Sequence, residues 1–266
     1  LQALQGSLPG GERRTLATLQ AIPEPRLLGL RCQTRDNKAI THTVGGAASS
    51  QPCLPAAGVS LLFSAPVKAD ELRHGLTFTP ELRAADGDPW EQVYSYSQLY
   101  EPYDRNKRYS VDLPEQLLKP ATAYRLRLAA GKVSDEFGRP LAEAAELGFA
   151  MDHRLPDYAL QKTLPVLEKG QDSDLHVWSV NLRQLPLSYE RLTADGGKSA
   201  GTAVITPQGP QDTSLSVPLT LRSLLGADSG VIRGELGSVP AVAGKGVEDG
   251  WFFAQITPFH VHLKLG

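Results

Sequence analysis

The sequence predicts an all-β protein built as two consecutive antiparallel β-sandwiches. Three observations carry this. After residue 25, apolar residues recur mostly with a period of two, which places alternate side chains on one face of a strand. Turn formers are abundant, with 25 glycines and 20 prolines in 266 residues, so the elements are short. No apolar face at helical spacing persists for three turns after residue 22.

Residues 1–23 read as a linker or short helical segment. Leu16, Leu19 and Ile22 share one helical face after Gly10-Gly11, so a helix from about Glu12 to Ala21 is expected, stopped by Pro23 and Pro25. Residues 24–150 read as the first sandwich. Leu28 and Leu30 alternate with Gly29 and Arg31, and the run ends at Cys32. Val59, Leu61 and Phe63 form a half-buried strand closed by Pro66. Leu76 and Phe78 follow, with Thr77 and Thr79 opposite. Tyr109, Val111 and Leu113 alternate with Ser110 and Asp112. Tyr124, Leu126 and Leu128 against Arg125 and Arg127 make the clearest strand of the chain. Asp135-Glu136-Phe137-Gly138 is a turn in which the glycine supplies positive φ. Leu147 to Ala150 is the last strand. Glu71 to His74 and Glu115 to Leu118 each have room for one helical turn.

Met151 to Asp157 is polar, contains Pro156 and lacks periodicity. It reads as a joint that allows modest movement between the two bodies. Residues 151–266 then resume the strand pattern. Leu164 to Leu167 comes first, then Leu175 to Leu182 with Val177, Trp178 and Val180. Leu185, Leu187 and Tyr189 follow, then Val204-Ile205 between glycine-rich turns. Leu215 to Leu225, Val231 to Leu236, Trp251 to Ile256 and Phe259 to Leu265 complete the set. Many short strands at regular spacing are the signature of a sandwich.

The length suits one large or two ordinary domains. A net charge of -2 removes the electrostatic case for nucleic-acid binding. No run of about 18 apolar residues is present, so no helix is expected to span a membrane. Residues 1–22 lack the apolar core of a signal peptide and contain Glu12, Arg13 and Arg14. Met151 is the single methionine, and a chain beginning at Leu1 is expected to be a piece of something longer.

Cys32 and Cys53 are the only cysteines, and each sits beside turn-forming residues. A bridge would close a loop of roughly 20 residues, worth about 3 kcal/mol in the chain-entropy model. It would imply an oxidising compartment such as a periplasm. Residues 33–52 have little core-forming character of their own, and Gly45 to Ser50 would be loose without a tie. The alternative is two ordinary buried thiols. Neither the spacing nor the surroundings read as a reactive pair.

No other constellation argues for catalysis. His260 and His262 would share one face of a strand, but a zinc site needs further ligands that are not in evidence, so no metal and no cofactor are expected. Asp228-Ser229-Gly230 is similar to the nucleophile segment of chymotrypsin-like proteases, but it lacks the accompanying histidine and aspartate segments and reads as a turn. Gly197-Lys198-Ser199 lacks the upstream glycine of a phosphate loop and reads as a loop tip. Asp86, Asp88, Glu91, Asp135 and Glu136 read as turn acids. The densest aromatic group is Tyr94, Tyr96, Tyr100, Tyr103 and Tyr109, which runs beside Asp104 to Arg108. Tyr94, Tyr96, Tyr100 and Tyr103 are candidates for a partner surface. The plainer reading is a long hairpin with its tyrosines partly buried on the sheet.

Several stretches, taken in order, resemble the bacterial alpha-2-macroglobulin family. In the first unit these are Val59 to Val67, Leu76 to Pro80, Leu118 to Leu126 and Val133 to Leu141, an order shared by many bacterial Ig-like modules. In the second, Leu175 to Leu182, Leu187 to Leu192 and Trp251 to Phe259 are similar to strands of a macroglobulin domain. The resemblance covers roughly residues 26–266. It implies a bacterial Ig-like sandwich over 24–150 and a macroglobulin-like sandwich over 151–266. It also implies a non-enzymatic, amino-terminal scaffold piece of a periplasmic protease trap, whose partners are proteases and a periplasmic or inner-membrane protein. In such a protein the protease cuts a bait segment and is then enclosed or tethered. The family's Cys-x-Glu-Gln thioester is absent: Gln33-Thr34-Arg35 follows Cys32, and Leu54-Pro55-Ala56 follows Cys53. The tyrosine-rich insertion is similar to the long branch of the family that lacks the thioester. The rival reading is a cell-surface adhesion or carbohydrate-binding module using the tyrosines. A hydrolase acting through Ser229 ranks third.

Overall fold

The computed structural model describes residues 23–46, 51–95, 109–160, 166–167, 174–193, 196–220, 230–236, 239–240 and 257–263. Among the described residues, eight strands precede the joint: β1 (Leu27–Gln33), β2 (Ala39–Thr43), β3 (Val59–Phe63), β4 (Leu76–Thr79), β5 (Tyr94–Ser95), β6 (Tyr109–Leu113), β7 (Ala123–Leu128) and β8 (Ala145–Ala150). They form a five-stranded sheet in the order β2-β1-β3-β6-β5 and a three-stranded sheet in the order β4-β7-β8. Every pair in both sheets is antiparallel.

Alternation in the sequence dictates the packing. β7 exposes Ala123, Arg125 and Arg127 and buries Tyr124, Leu126 and Leu128. β4 buries Leu76 and Phe78 and turns both threonines outward. The inward faces of the two sheets close on one apolar core, in which Leu30, Leu61, Phe63 and Leu126 are fully buried. Each such side chain contributes about 1.5–3 kcal/mol by leaving water. Leu62 departs from the alternation and is buried as well, apart from the main core. β3 lies in the middle of its sheet, so Leu62 is flanked by Gly29 on β1 and Ser110 on β6.

The two expected helical turns are present. Ala69–Leu72 is a single α-turn that buries Leu72, and Glu115–Leu117 is a 3-10 turn that buries Leu117. The turn at 135–138 also forms. Gly138 has φ +78. The buried Asp135 carboxylate accepts from the Phe137 and Arg139 amides and from the Arg139 guanidinium. One strand of this first unit was not expected. β2 lies within the stretch that reads as lacking core character, because His42, the middle of its inward positions Ile40, His42 and Val44, is polar.

Among the described residues, nine strands follow the joint: β9 (Asp157–Leu160), β10 (Val166–Leu167), β11 (Asp174–Val180), β12 (Leu182–Thr193), β13 (Lys198–Ile205), β14 (Leu215–Thr220), β15 (Gly230–Leu236), β16 (Val239–Pro240) and β17 (Thr257–Leu263). One sheet runs β10-β17-β15-β12-β13, with β16 also on β12, and the other runs β14-β11-β9. Pairing is antiparallel apart from β10 with β17, which is parallel. Val177, Leu185 and Leu187 are buried, whereas Trp178 is 43% exposed on the outer face of β11 beside His176. Lys198 and Ser199, expected at a loop tip, instead open β13, where Lys198 pairs with Leu192. The expected helix at 12–21, the Asp228-Ser229 turn and the run from Trp251 to Ile256 lie outside the described residues. Among the described residues no helix exceeds one α-turn.

Candidate functional site: a braced joint between two sheet systems

The segment after β8 is held from both sides. Cys53 forms a one-residue parallel bridge with Met151. Its amide donates to the Ala150 carbonyl at 2.7 Å, and its carbonyl accepts from the Asp152 amide at 2.8 Å. Cys53 is also bonded to Cys32 on β1, with Cα atoms 5.6 Å apart. The two cysteines are therefore a disulfide and not separate thiols. It ties the five-stranded sheet to the end of β8, where the joint begins.

Asp152 locks the same point electrostatically. Its carboxylate accepts from Arg35 Nε at 3.0 Å and Nη2 at 3.2 Å, a bidentate pair with side chains only 17% and 18% exposed. Such fork-shaped pairs fix orientation as well as distance. Asp152 also accepts from the His153 amide at 2.7 Å, and its carbonyl accepts from Ala121. Arg154 reaches Glu115 at 3.5 Å.

The next two residues are gripped by the second set of strands. Asp212 Oδ1 accepts from the Arg154 amide at 2.8 Å and from Asn181 Nδ2 at 2.9 Å. Asp212 Oδ2 lies 2.7 Å from His153 Nδ1. Asn181 Nδ2 also donates to the Arg154 carbonyl, and its Oδ1 accepts from the Asp212 amide. Both Asn181 and Asp212 have left-handed backbones, at φ 51 and φ 62. Asn and Asp tolerate that conformation better than other residues with a Cβ. Burial pushes the Asp212 carboxyl up, but hydrogen bonds from Asn181, His153 and the Arg154 amide, with the charge of His153, outweigh it. The net position is below the usual carboxylate range.

The polar groups of 152–154 thus find hydrogen-bond partners on both sides. Sequence reasoning missed Asn181 and Asp212, because nothing local to either residue points to the joint.

Sequence reasoning also missed His42, because a polar residue between Ile40 and Val44 interrupts the apolar alternation. His42 is 2% exposed, with Nε2 3.7 Å from Cys53 Sγ and 4.0 Å from Cys32 Sγ. Its ring lies 6.5 Å from Phe149, which stacks on Tyr124. Burial lowers its pKa, so the imidazole is neutral near pH 7.

Of the tyrosines expected at a partner surface, Tyr94 is on β5, at the edge of the five-stranded sheet, and is 61% exposed. Tyr109, on β6, is buried. Tyr96, Tyr100 and Tyr103 lie outside the described residues. His260 and His262 are on β17, in register with Arg233 and Val231 of β15. No described helix is long and apolar enough to cross a membrane.

No family model and no curated protein matches the chain. Solved structures do. Native alpha-2-macroglobulin from Escherichia coli, spanning domains MG0-NIE-MG1, aligns over 90% of this chain and 71% of its own, at 14% identity and a TM-score of 0.43. A Salmonella alpha-2-macroglobulin mutant aligns over 79% of this chain at 13% identity and a TM-score of 0.46. The native conformation of Escherichia coli alpha-2-macroglobulin, from cryo-EM, aligns over 80% at 13% identity and a TM-score of 0.39. The chain spans only 12% and 13% of the last two molecules.

Proposed function

We propose that this chain is a non-catalytic, amino-terminal scaffold piece of a periplasmic protease trap of the bacterial alpha-2-macroglobulin type. Its modules are an Ig-like sandwich over 24–150 and a macroglobulin-like sandwich over 151–266. The ordered stretches from Val59 to Leu141 and from Leu175 to Phe259 support the family reading. The disulfide supports an oxidising compartment.

One observation carries the mechanical role. Residues 152–154 are hydrogen-bonded to Cys53, Arg35 and Ala121 on one side and to Asn181 and Asp212 on the other. A trap converts cleavage at one place into movement at another, so its scaffold must pass displacement between modules without absorbing it. A linker held by backbone and charged hydrogen bonds does that, whereas a solvated one does not.

Spin labels on exposed Lys132 and Lys198 test the coupling. A narrow distance distribution that broadens in Asp212→Ala is expected, and a broad one in the unaltered chain would refute it. The trap itself is tested on the parent protein. Enclosure shields a bulky protein substrate from the protease but admits a small peptide, so proteolysis of the first should fall while the second is still cut. Equal cleavage of both with and without the parent protein overturns the trap.

The exposure of Tyr94 favours one secondary role, a contact surface formed by Tyr94, Tyr96, Tyr100 and Tyr103 for a periplasmic or inner-membrane protein. If the same surface instead takes sugars, glycan binding that is lost in Tyr94→Ala will reveal an adhesion module.

A further inference from the structure

Among the described residues, one group of three metal-ligating side chains comes together: Cys32, His42 and Cys53, with ligand atoms within 4.8 Å of one another. All three are buried, at 5%, 2% and 0% exposure. His42 is the unexplained member. Its Nδ1 is buried without a hydrogen-bond partner, and its Nε2 points at the two sulfurs. Whichever nitrogen carries the proton, Nδ1 gains nothing from its surroundings. An aromatic hydrocarbon would fill this place beside Phe149 without that cost, so packing alone does not account for an imidazole here.

We propose that, when the disulfide is reduced by a dithiol or a phosphine, Cys32, Cys53 and His42 form a binding site for zinc or a similarly thiophilic cation. Two electrons and two protons convert the disulfide to two thiols. The cation then displaces both thiol protons and accepts the Nε2 lone pair of His42. Two thiolates and a divalent ion sum to zero charge, which a buried site tolerates. Two sulfurs and an imidazole are a donor set that zinc favours over hard cations, and a fourth position is left for water or an added ligand.

The donors do not depend on the S–S bond for their placement. Cys32 is paired on both sides, with Ile40 of β2 and Val59 of β3. His42 is held opposite Leu30. Cys53 is fixed by its two backbone bonds to Ala150 and Asp152. The Cα separation of 5.6 Å between the cysteines leaves rotation about the side chains to open the sulfurs around an ion with Zn–S bonds of about 2.3 Å.

The test uses the whole chain, reduced anaerobically with a phosphine and desalted. Cobalt(II) is the probe. One equivalent should produce a thiolate-to-cobalt charge-transfer band and intense visible d–d bands, both removed by zinc. Cys53→Ser should abolish them. His42→Phe keeps a ring against Phe149 and should weaken binding by more than the roughly 10–100-fold that loss of an outer-shell partner costs. X-ray absorption of the zinc-loaded unaltered chain needs no variant and should report two sulfur scatterers with imidazole. If reduction melts the first unit, zinc should restore its β-type circular dichroism. A reduced, folded chain without cobalt bands, a reduced, melted chain that zinc does not refold, His42→Phe binding at unchanged affinity, or sulfur scatterers without imidazole would each overturn the site.

Discussion

Asp212 is the residue whose replacement should most directly release the joint. Its side chain is 13% exposed and accepts from three donors: the Arg154 amide, Asn181 Nδ2 and His153 Nδ1. Asn181 keeps a second acceptor in the Arg154 carbonyl, so its loss is partial. The Arg154 amide and the imidazole lose the partner that anchors them. At about 0.5–1.5 kcal/mol per net hydrogen bond, more where a charge is involved, the carboxylate is worth about 2–4 kcal/mol. The backbone adds a second contribution, because φ is 62. Alanine in that conformation costs about 1–2 kcal/mol, whereas glycine costs nothing. Asp212→Ala should therefore destabilise the second unit by about 3–6 kcal/mol, and Asp212→Gly by about 2–4. Urea unfolding followed by tryptophan fluorescence measures both. Amide exchange at Arg154 should accelerate by at least about 10-fold in each, since 1.4 kcal/mol is a factor of ten. The reasoning fails if both variants lie within about 0.5 kcal/mol of the unaltered chain, the range of surface substitutions. It also fails if alanine and glycine are equal. Asp212 also fixes an acid limit. A carboxyl held below its ordinary 3.8 stabilises the fold fully above that pH, and the contribution is lost as pH falls through the lower folded value.

Four further outcomes are expected. A double-mutant cycle on Arg35→Ala and Asp152→Ala should return a coupling of about 1–2 kcal/mol, above the exposed-pair range and little changed by high salt, because both side chains are more than four-fifths buried. Asp135→Ala should cost about 3 kcal/mol in thermal or urea unfolding, since it removes a fully buried carboxylate that holds two amides and Arg139. Reduction of Cys32–Cys53 without metal should lower stability by about 3 kcal/mol for a loop closed across 21 positions, and a midpoint unchanged by reductant would contradict this. His42, with its pKa lowered from 6.5, binds a proton more readily unfolded than folded. Its contribution is therefore complete above about pH 6.5 and declines as pH falls below it, and His42→Phe should flatten that part of the stability profile.

Most of the first unit was legible because its strands are half-buried. In β7 the alternation of Arg125 and Arg127 with Leu126 and Leu128 states both the element and its inward face. β2 was not legible, because its inward positions include His42 between threonines, and a polar residue at a core position erases the apolar signal. Trp178 shows where residue type and position in the strand disagree. Its apolar side chain argues for burial, but its place in the alternation puts it outside.

The sequence by itself determined the apolar faces of its regularly alternating strands, turns such as the one at 135–138, which cysteines exist and where periodicity breaks. Those are properties of a few neighbouring residues. Tertiary structure alone decided that Asp212 meets His153 across 59 positions, that Arg35 meets Asp152 across 117, and that His42 faces the disulfide. Such meetings depend on how one sheet is placed against another. Alternation fixes the side of a strand on which a residue lies, but not which distant residue will stand opposite it.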